Sequence, residues 1–316
     1  MSEFVVSLPN DPSLAEALQE RLGESPEVRF IEWNVDGPAP EPHIDIVVPP
    51  YWGGARRLEN LAGVSARLVQ WQSIGYNGVA RYLPAGLPFA NAATVHEGST
   101  AELALALTLA SQRGLDTFIR QGDERAWQLR SLPSLADRRV MILGYGGVGK
   151  AIDARLQGFE VEVIRIARSA RQEAGPAGEP VPVYPLSELN ERLRSTDIVI
   201  IGVPLTDDTK GLVGAEQLAA LPDGALVVNV ARGPVVDTSA LMAELNSGRL
   251  RAALDVTDPE PLPADHPLWD CPGLIVTPHV GGDSTAMMPR MSALIVRQIE
   301  RLKAGETPEN LIDLSR

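Results

Sequence analysis

Cysteine is almost missing from this 316-residue chain. Cys271 stands alone, so no disulfide can form within the chain, and a reducing compartment is expected. No activating base adjoins it, which marks it as a passive loop residue. Aromatics are scarce too, 5% against 44% hydrophobic in all, so the cores must be built from Val, Leu, Ile and Ala, the usual lining of parallel sheets under helices. Basic residues are outnumbered 28 to 41, a net charge of −13. Nucleic acid and anionic membrane, which demand basic patches, are therefore not expected partners. An anionic ligand must instead be held by local cations and backbone N–H groups, against the field of the whole protein. The longest apolar run, Leu103 to Ala110, falls far short of the ~20 residues of a membrane span. Met1-Ser2-Glu3-Phe4 lacks the basic start and apolar stretch of a signal peptide, so a cytoplasmic protein is expected.

What the chain does contain is alternation. Its length exceeds one typical domain and suits two. Phe4–Leu8 reads as a strand, residues 12–22 as a helix, and Val28–Ile31, Ile44–Val48 and Arg67–Trp71 as further strands bounded by Gly and Pro. From Ser99 to Arg113 the pattern turns helical: Ser99 looks like an N-cap, and Leu103, Leu107 and Ala110 share a face. A second series of strands follows: Arg139–Leu143, Val161–Ile166, Asp197–Ile201, Ala225–Asn229, Ala252–Val256 and Leu274–Thr277, with a closing helix over residues 284–304. The Gly/Pro-rich piece from 170 to 182 reads as a surface loop. The expected class is α/β, with two doubly wound parallel-sheet domains.

Gly144-Tyr145-Gly146-Gly147-Val148-Gly149 follows a strand and opens a helix, the setting in which a GxGxxG turn binds a dinucleotide. Gly144 permits the tight turn, Gly146 lets the backbone approach the pyrophosphate, and Gly149 allows close helix–strand packing. An NAD site would carry an acid about 20 residues on, for the ribose 2′-OH. This chain reads Ile166-Ala167-Arg168-Ser169 instead. Arg168 can pair with a 2′-phosphate and Ser169 can donate to it, with Arg171 close behind, so NADP is expected and NAD possible. Alternatively Arg168 stacks on the adenine, which would tolerate both.

Downstream stand three residues in distinctive settings: Arg232 in Asn229-Val230-Ala231-Arg232-Gly233, Glu260 between Pro259 and Pro261, and His279 in Thr277-Pro278-His279-Val280-Gly281-Gly282. Together with Val203-Pro204-Leu205-Thr206, Thr209, Leu254-Asp255-Val256 and His266-Pro267-Leu268-Trp269, and in this order, they make the chain resemble the D-isomer-specific 2-hydroxyacid dehydrogenase family over nearly its whole length. The resemblance is to the NADP-type glyoxylate and hydroxypyruvate reductases within it. It implies a flavodoxin-like substrate domain of residues 1–97 and 284–316, a Rossmann domain of residues 98–283 inserted between, an active site in the cleft, and a homodimer. It further implies that Val203, Pro204, Thr209, Val230, Ala231 and Gly281 line the cofactor and that Asp255 orients the nicotinamide amide.

The chemistry of the three can be argued directly. Reducing a 2-keto acid puts hydride on C2 while negative charge grows on its oxygen, and His279 is the candidate proton donor. Glu260 would bond the far ring nitrogen and favour imidazolium. Arg232 would grip the substrate carboxylate and polarise the carbonyl. Nothing here calls for a metal. In the first domain, Tyr51-Trp52-Gly53-Gly54 and Ser73-Ile74-Gly75-Tyr76 are the expected substrate loops, with Trp52, Gly53, Ile74 and Gly75 as contacts; Trp52 could equally be a packed anchor. The aromatic first loop, with Arg56 and Arg57 only afterwards, favours small or apolar 2-keto acids such as glyoxylate, hydroxypyruvate or longer analogues. His96 reads as a cap or surface residue. Two other readings stay open: a dinucleotide-sensing scaffold or corepressor of the same fold, and formate oxidation, which would not need Glu260.

Overall fold

Runs of Val, Ile and Leu framed by Gly and Pro form the strands of two separate sheets, seen in a computed structural model that describes residues 3–23 and 27–314. Met1 and Ser2 of the N-terminal stretch lie outside those residues. The chain divides into two compact units, residues 1–96 with 284–316, and residues 97–283.

In the first unit, β1 (Phe4–Leu8), β2 (Val28–Glu32), β3 (His43–Val47), β4 (Ser65–Gln70) and β5 (Phe89–Ala90) pair in the order β2-β1-β3-β4-β5, all parallel. This is a flavodoxin-like order. Because side chains alternate along a strand, Val6, Ile46 and Leu68 enter one core and Val5, Val47 and Val69 the other. The first core is closed by α1 (Pro12–Leu22) and by the last helix, α9 (Met287–Lys303), through Leu14, Leu18, Met291, Leu294 and Ile295. Asp11 starts α1 by accepting from the N–H groups of Ser13 and Leu14, with Pro12 at the first helical position. The buried Gln298 of α9 donates to Gln70 Oε1 of β4 at 2.8 Å and to the Glu309 carbonyl at 2.9 Å. A short helix, α2 (Val79–Tyr82), also belongs to this unit.

The second unit begins with α3 (Glu97–Arg113) and α4 (Leu115–Asp123). Its sheet contains β6 (Arg139–Leu143), β7 (Glu162–Ala167), β8 (Arg171–Ala174), β9 (Pro180–Pro185), β10 (Ile198–Ile201), β11 (Leu226–Asn229), β12 (Arg251–Leu254) and β13 (Leu274–Val276). They run β13-β12-β11-β10-β6-β7-β9-β8, parallel except for the β8–β9 pair. Helices α5 (Gly147–Leu156), α6 (Leu189–Leu193), α7 (Ala215–Ala220) and α8 (Thr238–Asn246) connect them. Apart from β8, the order is that of a dinucleotide-binding sheet, whose strand direction of travel reverses between β6 and β10.

Three expectations change. Helix α3 starts at Glu97, two residues before Ser99. Residues 170–182 are not a surface loop: β8 and the first half of β9 form a hairpin there, and β9 joins β7 through Ile166–Tyr184 and Ala167–Pro185. The prolines at 180, 182 and 185 disguise a strand whose Val181 and Val183 are buried. His96 is 3% exposed, with Nε2 2.6 Å from the Gln72 carbonyl and its ring stacked on Tyr51.

Candidate active site

The glycine turn between β6 and α5 is built by close backbone approach. Gly144 has φ +107, and a Cβ there would lie 2.7–2.8 Å from the backbone of Gly202 and Val203. A Cβ on Gly149 would stand 2.0 Å from the Gly144 carbonyl oxygen. Gly146 faces open space, and no side chain caps α5. The first-turn N–H groups at Gly147, Val148 and Gly149 are thus positioned as the anion-binding end of a helix. A dinucleotide pyrophosphate fits this cradle. Tyr145 is different: its side chain is 3% exposed and turned inward to Asp153, so only its backbone borders the turn's open side.

Neighbouring strand ends follow suit. Val203 and Pro204 succeed β10, and Thr209 fixes their loop by donating to the Pro204 carbonyl at 2.6 Å while accepting from Thr206 N–H. Val230 and Ala231 follow β11 and are 7% exposed each. Arg168 and Ser169 emerge exposed after β7. Arg171, on β8, donates to Glu173 at 2.7 Å and to the Tyr145 carbonyl at 3.1 Å.

His279, Glu260 and Arg232 come together in the same unit. His279 Nδ1 is 2.6 Å from Glu260 Oε1, and both side chains are partly exposed. Burial alone would raise the Glu260 carboxyl; the hydrogen bond and charge of His279, the charge of Arg232 and a backbone bond at Thr257 outweigh it and hold the group below its ordinary range. Arg232 follows Asn229, whose buried side chain accepts from Ala231 N–H and donates to the Arg232 carbonyl, both at 3.0 Å. Gly233 then lets this loop press on the next: a Cβ would fall 1.9 Å from the Thr257 carbonyl oxygen. That contact, invisible in sequence, sets the cation beside the segment carrying Glu260.

Asp255 has a role the resemblance did not suggest. Its carboxylate, 2% exposed, accepts from Thr277 Oγ1 at 2.6 Å and from Val280 and Gly281 N–H at 2.9 Å. Its carbonyl accepts from His279 N–H at 2.8 Å. The residue at the end of β12 therefore grips the turn in which His279 sits at φ +55, while Gly281 approaches so closely that a Cβ would lie 2.8 Å from Asp255 Oδ2.

In the first unit, Trp52 is 61% exposed and edge-on to Tyr51, so it is no buried anchor. Gly53 has φ +115, and the Arg57 guanidinium occupies the place its Cβ would take. Arg57 also donates to the Asn34 carbonyl at 2.7 Å. A cation therefore adjoins this aromatic loop, brought back by a turn of 3-10 helix over Ala55–Leu61. The Ile74 and Gly75 carbonyls accept from Asn91 Nδ2 at 2.8 Å and Trp71 Nε1 at 3.0 Å. Cys271 is buried, and burial followed by the charge of Asp270 pushes its thiol up, away from reactivity.

The family profile for the D-isomer specific 2-hydroxyacid dehydrogenase NAD binding domain matches residues 105–281. The chain is 32% identical over 263 residues to a glyoxylate reductase of Pyrococcus furiosus, covering 78% of this chain and 76% of that protein. A solved D-isomer specific 2-hydroxyacid dehydrogenase of Xanthobacter autotrophicus Py2, in complex with NADPH and MES, superposes with a TM-score of 0.82 at 30% identity over 100% of this chain and 99% of that one. An NADPH-dependent glyoxylate/hydroxypyruvate reductase of Sinorhizobium meliloti shares the fold at 24% identity, with a TM-score of 0.82 and 99% coverage of each chain.

The balance at Glu260 can be tested on the carboxyl itself. In His279→Ala, burial is left less opposed, so Glu260 should titrate at higher pH than in the wild type by ¹³C NMR; an unmoved titration would show that His279 does not hold it down.

Proposed function

The chain belongs to the D-isomer-specific 2-hydroxyacid dehydrogenase family, and from that premise we propose that it reduces a small 2-keto acid to the D-2-hydroxy acid, with NADPH preferred and NADH possible. The observation that carries this is the 2.6 Å contact between His279 and Glu260, with the charge of Arg232 acting on the same carboxyl. The reduced nicotinamide supplies the hydride for the carbonyl carbon. His279 gives its Nε2 proton to the carbonyl oxygen as charge develops there. Glu260 holds the opposite ring nitrogen and so fixes which one faces the substrate. Arg232 binds the substrate carboxylate and draws electron density from the carbonyl. Asp255 holds the His279 turn and presents the remaining acceptor capacity of its carboxylate to the nicotinamide amide.

Glyoxylate, hydroxypyruvate and longer analogues remain the favoured substrates, with Trp52, Gly53, Ile74 and Gly75 as substrate contacts. The names of the relatives support the first two. For the cofactor, Arg168 and Ser169 receive the 2′-phosphate, and the absence of an acid at the end of β7 supports the preference. The lone cysteine fits a cytoplasmic setting.

We also assign a homodimer to this chain. Support comes from the stretch after α3, where Trp127 and Leu129 are 92% and 90% exposed and Ile119 is 67% exposed. Large apolar side chains this exposed within a dozen residues of one another are surface that a second copy could cover. Between residues 113 and 130 four arginines (113, 120, 125, 130) meet three acids (116, 123, 124), so two copies of a chain with net charge −13 can approach here without strong repulsion.

Three outcomes are expected. Assayed against a panel of 2-keto acids, His279→Ala should lose about 10²- to 10⁴-fold in kcat while NADPH binding stays near wild type; near-normal turnover would overturn the assignment. Arg168→Ala should cut the NADPH-over-NADH ratio of kcat/KM by about 10- to 100-fold, the worth of one charge-assisted bond; an unchanged ratio would leave adenine stacking as its role. By light scattering, Trp127→Ser with Leu129→Ser should shift a dimeric wild type toward monomer, and a monomeric wild type would refute the dimer.

A further inference from the structure

The second position of the glycine turn carries a side chain that faces no ligand. Tyr145 lies 3% exposed, and its hydroxyl donates to Asp153 Oδ2 at 2.6 Å. Asp153, fully buried on α5, receives Arg165 Nε at 2.7 Å and Arg165 Nη2 at 3.0 Å. Arg165, 8% exposed on β7, also lies 5.8 Å above the Tyr145 ring. One buried network thus joins the turn, the helix it opens and the second strand. These are the three elements that must keep their mutual geometry for the helix N-terminus to meet a pyrophosphate.

A buried ion pair of this kind contributes little net stability, because desolvation offsets the attraction. What it supplies is a single geometry, since each member is satisfied only in one arrangement. The phenol keeps its proton and so remains a donor: burial first, then the bond to Asp153, pushes it up to about 12. The backbone on either side is tied separately. Gly144 N–H donates to the Ile166 carbonyl at 2.9 Å, next in sequence to Arg165, and the Tyr145 carbonyl accepts from Arg171. Without its hydroxyl, the residue between Gly144 and Gly146 would lose its side-chain hydrogen bond to Asp153.

We propose that Tyr145 is a positioning residue for the dinucleotide, its buried hydroxyl fixing the glycine turn through Asp153 and Arg165. This rests on the reading that the turn holds the pyrophosphate. It differs from the role of Arg168, which discriminates between cofactors, because the pyrophosphate is common to both.

The test is Tyr145→Phe, read by fluorescence titration with NADPH and with NADH. Both dissociation constants should rise by the same factor, about tenfold if the lost bond to a charged group is fully expressed in the turn. The ratio between the cofactors should stay at its wild-type value. In an Asp153→Asn background the same substitution should add less than about twofold, since coupled residues are not additive. Unchanged binding with a lowered melting temperature would make the network merely structural and overturn the proposal, as would a loss confined to NADPH or full additivity. Hydrogen exchange at the amides of residues 144–149, read without cofactor, should quicken in Tyr145→Phe. That measurement separates the proposal from its premise: a wild type that binds neither cofactor refutes the premise, whereas unaltered exchange refutes the pinning.

Discussion

A carboxylate buried almost completely must be satisfied by donors or it destabilises the fold, and Asp255 meets that requirement by collecting its neighbours. Thr277, Val280 and Gly281 all donate to it, and the backbone of His279 donates to its carbonyl. The turn after β13 therefore has one arrangement in which Asp255 is content, and that arrangement sets His279 at positive φ, turned to Glu260. Gly233 and Gly281 serve the same end by omission, since any side chain there would collide with the backbone or carboxylate it presses on. His279 is held in place by contacts at its own backbone and at residues one and two positions away.

Charge enforces a second economy. In a strongly acidic chain, the means of holding an anion are concentrated in a few places: the first turn of α5, the cations after β7, and Arg232. None of them relies on net charge. Lys150 and Arg171 both donate to Glu173, so part of the local positive charge is already balanced before any ligand arrives, while Arg168 projects from the end of its strand. On the proposed reading, selection between cofactors falls to very few groups and affinity mainly to backbone N–H groups.

Much of this was legible in the residue pattern, and for identifiable reasons. The buried parallel strands announce themselves as unbroken aliphatic runs, and β6 coincides with its predicted bounds because the charged Arg139 opens it and Gly144 stops it. Arg232, Glu260 and His279 stood out by their proline and glycine settings. What stayed hidden depended on contacts distant in sequence. The β8–β9 hairpin looks like a loop because three prolines mask its alternation. His96 gives no sign that it will be buried against Gln72. Arg57 follows its loop by three residues yet returns onto Gly53, and Asp153 and Arg165 reveal their pairing only when α5 is laid on β7.

The seating of α9 has a consequence in time. Met291, Leu294 and Ile295 close the core around β1, β3 and β4, yet they are made more than two hundred residues after those strands. On the ribosome, the chain from Glu97 to Asp283 emerges complete and can fold while the first unit still lacks its covering helix. Until α9 is synthesised, the part of this apolar face that α1 does not cover stays open, a waiting surface for a chaperone or for another nascent chain.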